Sequence, residues 1–239
     1  MLKNTNSKKI IEFKNVSKIY GNKDKGNLLD ISFSIKEGEF VSFVGISGCG
    51  KSTIMQLLTD IKEKTSGEII KPEKTVMVFQ KTSLLPWLTV KENIELVLTN
   101  EKINNTEKNK IVKKSLKLLQ IDKLANKYPS EISGGQIQRV AIARALSFNP
   151  NVLILDEPFS ALDEKTKEEL HEDILKIWEK HKLTIIMISH QLEEVVLMSQ
   201  RIFLMKERNI TKEYKIGFKY PRKIESKITK KILEIRKAL

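Results

Sequence analysis

The stretch Gly45-Ile46-Ser47-Gly48-Cys49-Gly50-Lys51-Ser52-Thr53 has the form G-x-x-x-x-G-K-[ST], and it follows an apolar run at residues 40–44 that is typical of a buried strand. Glycines allow a loop to curl until its backbone N–H groups point inward. Those groups, together with the N-terminus of the following helix, bind phosphate oxygens. We therefore predict a phosphate-binding loop between a strand and a helix; a glycine-rich turn that merely joins the two is the alternative.

The residue types in this loop indicate a nucleotide with Mg²⁺ as the ligand. Lys51 adds a mobile positive charge at the outer phosphates, and the hydroxyl of Ser52 is suited to coordinate Mg²⁺. Cys49 is the only cysteine, so an internal disulfide is excluded. We interpret it as a small residue beside the phosphates, since no histidine is adjacent in sequence to activate it. The predicted phosphate-binding residues are Gly45, Ser47, Gly48, Cys49, Gly50, Lys51, Ser52 and Thr53.

A second motif, Val152-Leu153-Ile154-Leu155-Asp156-Glu157, consists of four apolar residues followed by two carboxylates. This pattern is typical of a parallel strand that is buried on both faces and whose carboxyl end opens onto a site. We expect Asp156 to reach Mg²⁺ and Glu157 to polarise the water that attacks the terminal phosphate. A solvated strand end is the alternative, and Pro158 weakens it by fixing the exit of the strand before another helix.

The third motif, Ser133-Gly134-Gly135-Gln136, precedes residues 137–146, which are rich in alanine and contain no helix breaker. Ser133 is therefore a candidate N-cap. A serine followed by two glycines can equally expose free N–H groups to an anion. The spacing alone favours the capping role.

The stretch from Ile132 to Gln136 resembles the signature motif of the ATP-binding cassette family, with Ile132 where leucine is usual. The resemblance covers residues 11–205 and includes all three motifs. It implies an α/β fold: a P-loop NTPase core with a mainly parallel sheet, an N-terminal antiparallel β subdomain and an inserted α-helical subdomain. It also implies an ATPase that uses ATP and Mg²⁺. The signature residues that would contact nucleotide are Ser133, Gly134, Gly135 and Gln136.

The resemblance implies roles for further single residues. Tyr20 matches the aromatic residue that stacks on adenine, although without the resemblance ordinary packing would be favoured. Gln80 resembles the glutamine that contacts Mg²⁺ and the attacking water, and His190 the histidine that senses the terminal phosphate. Asp163 ends a loop that resembles the one touching the opposite subunit, and we place it with the nucleotide-binding residues. Gln191 stands where aspartate is common, and no role is assigned to it.

The segment Leu84-Leu85-Pro86-Trp87-Leu88-Thr89-Val90-Lys91-Glu92-Asn93-Ile94, hereafter the 84–94 segment, lies where the resemblance implies contact with a membrane permease subunit. It is most similar to the ATPase subunits of nitrate, sulfonate and taurine importers. Such a system includes an extracytoplasmic substrate-binding protein. A hydrophobic loop packed on the core is the alternative interpretation. The resemblance favours uptake of the nitrate, sulfonate or taurine type, and transport of a thiamine precursor is a further alternative.

Composition agrees with one compact domain. The chain has 239 residues, is 40% hydrophobic and carries a formal net charge of +13. No apolar stretch approaches the roughly 20 residues that cross a bilayer, and the N-terminus lacks a secretory apolar core. We therefore expect a peripheral protein at the cytoplasmic face of the membrane. The positive charge could attract nucleic acid or anionic lipid, but the lysines are scattered throughout the chain.

The pattern of apolar and polar residues divides the chain into a core part, a helical part and a C-terminal part. We expect core and antiparallel segments at 10–85 and 149–210, a helical subdomain at 86–148 and a C-terminal tail with a helix at 211–239. Residues 10–45 read as an antiparallel sheet, the helix after the phosphate loop should extend to Ile61, and a turn should lie at 65–67. His171 and His181 are expected to be solvated. The apolar stripe Ile224, Ile228, Ile232 and Ile235 predicts a terminal helix docked on the domain, with lipid contact as the minority alternative.

Two function classes compete on these observations. In the first, the chain is the energy-coupling subunit of an importer, and it acts as a homodimer in which each ATP lies on Lys51 of one copy and against Ser133 and Gly135 of the other. In the second, the same fold acts on nucleic acid or in translation. Lys51 and Ser133 are too close in sequence to enclose a long coiled coil, and no set of zinc-ligand cysteines is present. The importer is therefore favoured, and nucleic acid is an unlikely partner.

Overall fold

The computed structural model describes residues 8–21, 27–81 and 84–239. The N-terminal stretch on which the absence of a secretory segment was argued therefore lies outside the described residues. The strands are β1 (Lys9–Lys18), β2 (Leu28–Lys36), β3 (Phe40–Gly45), β4 (Ser66–Ile70), β5 (Thr75–Val78), β6 (Val152–Asp156), β7 (Thr184–Ile188), β8 (Arg201–Lys206) and β9 (Asn209–Lys215). The helices are α1 (Lys51–Leu58), α2 (Val90–Glu95), α3 (Asn105–Leu118), α4 (Gly134–Ser147), α5 (Glu164–His181), α6 (Leu192–Met198) and α7 (Ser226–Ala238).

The larger sheet has the order β5-β6-β7-β3-β8-β9, in which the first five strands run parallel and β9 is antiparallel to β8. Alternate residues of its central strands enter two different cores. Phe40 and Leu153 pack with the helices on one face, whereas Val41 and Ile154 pack with the smaller sheet on the other. Burial on both faces explains why these strands are apolar without alternation, and the predicted mainly parallel core is confirmed.

The smaller sheet is antiparallel, with the order β2-β1-β4. The expectation that residues 10–45 form one antiparallel sheet was wrong for β3, which pairs in parallel with β7 and β8. The physical reason is that every residue of β3 is buried, which suits a central strand of the covered sheet. Aromatic rings join the two sheets: Phe33 stacks on Phe13 at 4.5 Å between ring centroids and lies 5.4 Å from Phe203.

Two local boundaries differ from the sequence prediction. Helix α1 ends at Leu58 rather than Ile61, because Thr59 caps the carbonyl of Met55 and Asp60 adopts a left-handed conformation with φ 56°. Ser66 and Gly67 lie in β4 rather than in a turn. Gly67 has φ 85°, and a Cβ there would lie 2.3 Å from the carbonyl oxygen of Asn15 on β1. Glycine is therefore required at this position, because β4 and β1 approach too closely for a side chain.

The segment from 86 to 148 is helical, as predicted, with α2, α3 and α4 separated by short 3₁₀ turns. Each helix begins at a side-chain cap. Thr89 and Glu92 form a capping box at α2, the side chain of Asn104 caps α3, and Ser133 with Gln136 forms a capping box at α4. The capping role predicted for Ser133 is therefore confirmed.

The C-terminal part continues the domain. Strand β9 extends the large sheet to Lys215, beyond the core limit at residue 210 that the sequence suggested. Helix α7 buries Ile228, Ile232 and Ile235 in the main core, which confirms that it docks on the domain. Ile224 was wrongly included in that stripe, because it precedes the helix and is exposed. Among the described residues, no helix combines the length and the apolar character needed to cross a bilayer.

Candidate functional site

The phosphate loop connects the end of β3 to the start of α1, as predicted. Gly50 precedes the helix with φ 103°, a conformation that side chains rarely adopt, and a Cβ there would also lie 2.5 Å from Cδ2 of Leu28. Neither a side-chain cap nor an acidic residue occupies the first turn of α1. The positive end of the helix is therefore available to an anion at the loop.

The ammonium of Lys51 lies over the loop. It donates to the carbonyl oxygens of Gly45 at 2.7 Å and Ile46 at 3.1 Å. These partners keep the ammonium at the cavity that the loop borders. Lys51 is thus placed to exchange carbonyl oxygens for phosphate oxygens.

Cys49 is buried beneath the loop, and its side chain does not line this cavity. A Cβ on Gly45 would lie 2.6 Å from Cys49 Sγ, so the thiol fills space under the first glycine of the loop. Only the backbone of Cys49 could face a phosphate. Its place in the loop agrees with the interpretation as a small residue, and its burial argues against a nucleophilic role.

The two carboxylates after β6 both face the cavity. Asp156 ends the strand, and Glu157 follows with φ 44°, a left-handed conformation that is uncommon outside glycine. The backbone N–H of Glu157 donates to the carbonyl of Ile188 at 2.9 Å, which fastens this bend to the end of β7. Strained backbone of this kind is typical of functional sites.

Two side chains from other elements converge on the carboxylate of Glu157. Gln80, which follows β5, donates from Nε2 to Oε2 at 2.9 Å. His190, which follows β7, places Nδ1 3.2 Å from Oε1. The ends of three parallel strands thus bring together the three residues for which we predicted catalytic roles at the attacking water and the terminal phosphate.

Burial raises the pKa of Asp156 above its usual range, and the neighbouring charge of Glu157 acts in the same direction. Lys51 opposes both effects, because its positive charge favours the ionised carboxylate. A divalent cation beside Asp156 would act in the same sense as Lys51. The carboxylate is therefore poised to bind positive charge.

These groups surround one open cavity of about 780 Å³. Its walls include predicted residues and three that the sequence analysis missed, namely Gln56, Lys62 and Ile188. Gln56 lies one turn after Ser52 on α1, so helical periodicity could have indicated it. Lys62 lies in the loop after α1, where no local pattern marks it. The lining residues are Tyr20, Gly45, Ser47, Gly48, Gly50, Lys51, Ser52, Thr53, Gln56, Lys62, Gln80, Asp156, Glu157, Ile188 and His190.

Tyr20 lies at the same cavity, and two lysine ammonium groups lie near its ring. The ammonium of Lys62 lies 4.4 Å from the ring centroid and 3.3 Å from the phenolic oxygen, and that of Lys18 lies 5.4 Å from the centroid. A tyrosine at the wall of the cavity that the glycine-rich loop borders provides a face on which a base can stack.

The signature residues and Asp163 lie outside this cavity. Ser133 caps α4, while Gly135 is so close to α5 that a Cβ would lie 2.4 Å from Cγ2 of Thr166. Asp163 caps α5 and accepts hydrogen bonds from Thr166. The single chain therefore does not bring these predicted nucleotide-binding residues (Ser133, Gly134, Gly135, Gln136 and Asp163) to the site of Lys51.

His171 is half-buried, which corrects the expectation that it is solvated. Its ring packs edge-on against Phe159 with 4.2 Å between centroids, and its buried Nε2 has no hydrogen-bond partner among the described residues. Burial lowers the pKa of His171 to about 4, with a smaller contribution from the charge of Lys167. His181 is exposed, as expected.

The donor set of the cavity fits a magnesium nucleotide. A hydroxyl from Ser52, an amide from Gln80 and a carboxylate from Asp156 line one wall, and Mg²⁺ prefers such oxygen ligands together with phosphate oxygens and water. Among the described residues, no cluster of three or more His, Cys, Asp or Glu side chains forms a metal site. The oxygen atoms of Ser52, Gln80 and Asp156 are the groups at this cavity that could hold Mg²⁺ together with phosphate oxygens.

Comparison with known proteins identifies similar sequences. Residues 28–160 match the ABC transporter family. The chain is 41% identical to the bicarbonate transport ATP-binding protein CmpD of Synechococcus elongatus over 223 residues, which cover 87% of this chain and 80% of the relative. It is 42% identical to the aliphatic sulfonates import ATP-binding protein SsuB of Bacillus cereus, covering 88% and 85%. It is 40% identical to the nitrate import ATP-binding protein NrtD of Synechococcus elongatus, covering 82% and 77%.

Solved structures show the same fold. A dimeric, post-hydrolysis state of the ATP-binding cassette MJ0796, bound to ADP and Pi, has a TM-score of 0.75 and 34% identity, covering 87% of this chain and all of that chain. The structure of cbiO1 from Clostridium perfringens, part of the ABC transporter complex cbiONQ, has a TM-score of 0.83 and 28% identity, covering 96% and 94%. The relatives and the solved structures therefore agree with the fold class predicted from the motifs.

Proposed function

The chain belongs to the ABC transporter family, and we propose that it is the ATP-hydrolysing, energy-coupling subunit of an importer. One observation carries this proposal: the phosphate loop, Asp156 and the Glu157 carboxylate with its two partners line a single cavity. The relatives described above are import proteins, which favours this class over one that acts on nucleic acid.

The loop and α1 bind the phosphates in this proposal. Backbone N–H groups of residues 45–53 and the helix N-terminus face the phosphate oxygens, and Lys51 neutralises the outer phosphates. Tyr20 supports the base. Because the ammonium of Lys62 already lies over the Tyr20 ring, the base would have to stack on the ring beside that ammonium.

Hydrolysis is assigned to Glu157 and the residues around it. Mg²⁺, when bound, would neutralise charge that develops on the phosphates, and Ser52, Asp156 and Gln80 would hold it. Glu157 accepts a proton from water as that water attacks the terminal phosphorus, and the bond to the leaving ADP oxygen breaks. Gln80 and His190 orient the carboxylate, since each contacts a different oxygen of it.

A homodimer accounts for the signature residues that lie outside the cavity. We propose that Ser133, Gly134, Gly135 and Gln136 of one copy, with the loop ending at Asp163, close over the nucleotide bound to the other. The N-terminus of α4 would then point its N–H groups at the terminal phosphate. Closure would exclude water from the site and align Glu157 for attack.

The 84–94 segment is proposed to contact an integral membrane permease. Trp87 in this segment is 69% exposed. The segment is held in place by Asn93, which is fully buried. The Asn93 side chain accepts from the N–H of Leu85 and donates to the carbonyls of Leu85, Leu88 and Thr89. A preformed loop that displays a large apolar ring suits a protein partner.

The remaining assignments follow from the importer hypothesis. The chain would bind the permease from the cytoplasmic face of the membrane, and an extracytoplasmic binding protein would deliver the substrate. Within one domain, the core part would be residues 10–85 with 149–210, the helical part 86–148 and the C-terminal part 211–239.

The relatives are named for bicarbonate, nitrate and aliphatic sulfonates, which are all small oxygen-bearing anions. We therefore propose that class of substrate.

Copurification with the native permease tests this function. The chain should hydrolyse ATP in the presence of Mg²⁺ and should recover a membrane subunit from detergent extracts of its native cells. Trp87→Ala should lower the recovery of that subunit at least tenfold without changing ATP binding. Leu233→Ala, at another exposed apolar residue, is the control. Salt-sensitive DNA binding with no membrane subunit recovered would contradict the proposal.

A further inference from the structure

Beneath His190, four polar side chains link α5 to the start of α6. The ammonium of Lys167 lies 3.5 Å from Oε1 of Glu194 and donates to Oε1 of Gln191 at 3.0 Å. The hydroxyl of Ser189 donates to Oε2 of Glu194 at 2.6 Å and accepts from the backbone N–H of Gln191 at 3.0 Å. The four residues thus form one connected network.

The network is buried, so its charges depend on each other. The side chains of Lys167 and Glu194 are only 12% and 4% exposed. Burial raises the pKa of Glu194, while the Ser189 hydrogen bond and the charge of Lys167 act in the opposite direction. A carboxylate at the depth of Glu194 is costly without its positive partner, whereas Lys167 also lies 3.6 Å from Oε2 of the exposed Glu164.

The network holds the backbone on both sides of His190. Ser189 precedes the histidine and is fixed by Glu194, whereas Gln191 follows it and is fixed by Ser189 and Lys167. The His190 side chain itself is 58% exposed and lies against Glu157. An exposed ring keeps such a position when its backbone is held firmly, because fewer rotamers then point at the carboxylate.

We propose that Lys167 and Glu194 are positioning residues for ATP hydrolysis, which hold the 189–191 backbone so that His190 stays against Glu157. The inference rests on the proposed ATPase function. Neither residue lines the nucleotide cavity, so they act on the reaction through His190 and leave nucleotide affinity unchanged.

The first test is kinetic. Lys167→Met should lower kcat at least tenfold while the Kd for ADP stays within twofold of the wild-type value. Lys176→Met is the matched control, because Lys176 lies on the same helix in an exposed pair with Glu172. That control should keep kcat within twofold. An equal loss of kcat in both variants would overturn the inference, since it would reflect general weakening of α5.

Two further variants keep the test decisive if Lys167→Met folds poorly. Lys167→Arg preserves the buried cation and should retain at least a third of the wild-type kcat. Glu194→Gln preserves an acceptor for Ser189 but removes the charge opposite Lys167, so it should lower kcat like Lys167→Met. Wild-type kcat in a folded Glu194→Gln protein would also overturn the inference.

The position of the His190 ring can also be measured by NMR in the absence of ATP hydrolysis. NMR signals of the His190 ring, assigned with His190→Asn, should shift or broaden in nucleotide-free Lys167→Met and Glu194→Gln but stay unchanged in Lys176→Met. Unchanged signals in all three variants would refute the positioning role. If the wild-type protein hydrolyses no ATP, the proposed function fails, whereas the NMR comparison still decides whether the network holds His190.

Discussion

Glu157 is the residue whose carboxylate the other side chains of the candidate site contact. Gln80 and His190 contact its two oxygens, its backbone is left-handed, and it lines the cavity together with Asp156. Both partners come from the ends of neighbouring parallel strands. Small movements of either strand end would therefore reach the group that is proposed to activate water.

At Lys51, removal of the ammonium should weaken nucleotide binding itself. Hydrogen bonds to charged groups contribute about 1.5–3 kcal/mol, so Lys51→Ala should reduce ATP affinity roughly 10-fold to 100-fold. Isothermal titration calorimetry with ATP measures the change. Lys176→Ala, far from the cavity, should bind like the wild type. Retained ATP affinity in Lys51→Ala would argue against the proposed phosphate loop.

The free energy of unfolding should depend on pH through the titration of His171. Burial depresses the folded-state pKa to about 4, below the unfolded value near 6.5, so folding favours the neutral ring. The stabilisation is complete above pH 6.5 and is lost as pH falls towards 4. Between pH 7 and pH 5 the loss from this residue should be about 2 kcal/mol.

Comparison with His171→Leu isolates this effect, since the variant removes the titrating ring but keeps an apolar side chain against Phe159. Urea unfolding at pH 7 and pH 5 should show a smaller loss of stability in the variant than in the wild type. NMR titration of the His171 ring provides the pKa directly. A titration midpoint near 6.5 would contradict its burial.

At the scale of elements, α5 connects the parts of the molecule. Its N-terminus is capped by Asp163, Lys167 reaches the His190 loop, and Asp173 pairs with Arg139 on the signature helix α4. The Arg139–Asp173 pair is buried and is completed by Gln120, which donates to Asp173, and by the carbonyl of Leu119, which accepts from Arg139. Two buried ion pairs on one helix thus hold both α4 and the start of α6.

Breaking the α4–α5 pair should destabilise the fold strongly. Arg139→Met leaves the Asp173 carboxylate buried without its partner, and such a loss costs about 3–5 kcal/mol. Guanidinium unfolding measures it. Lys176→Met breaks an exposed pair on the same helix and should cost less than about 1 kcal/mol. The double variant Arg139→Met/Asp173→Leu should recover much of the loss, and no recovery would contradict an unpaired charge as its cause.

At the scale of the whole molecule, the single chain leaves the proposed nucleotide site incomplete. The end of α4 with Ser133 and Gly135 lies outside the cavity that holds Lys51. A related cassette is dimeric in its post-hydrolysis state with ADP and Pi. A second copy that supplies its signature residues would complete each site, so assembly and catalysis should depend on each other.

Glu157→Gln tests this dependence. The amide cannot accept the proton of the attacking water, so hydrolysis should fall at least 100-fold while bound ATP persists. ATP should then convert the variant from monomer to a stable dimer in sedimentation velocity experiments. Adding Ser133→Arg should prevent that dimer, because the bulky side chain would occupy the signature end of α4. A monomer at saturating ATP in Glu157→Gln alone would contradict the sandwich.

Features that depend on neighbours along the chain could be predicted from the amino-acid sequence. The glycine loop before α1, the capping box of Ser133 and the apolar strand that ends in Asp156 are local patterns, since backbone conformation and caps depend on residues a few positions apart. The family resemblance extended these patterns to the fold class and to the single residues Gln80 and His190.

The tertiary structure alone decided which distant residues meet. Gln80 and Glu157 are 77 positions apart yet share a hydrogen bond, Lys62 covers Tyr20, and the half-buried His171 packs against Phe159 instead of being solvated. Burial, pKa and side-chain contacts are set by elements that come together only when the two sheets and the helices pack. No pattern within one segment contains that information, so the network of Lys167 and Glu194 beneath His190 became visible only in the folded chain.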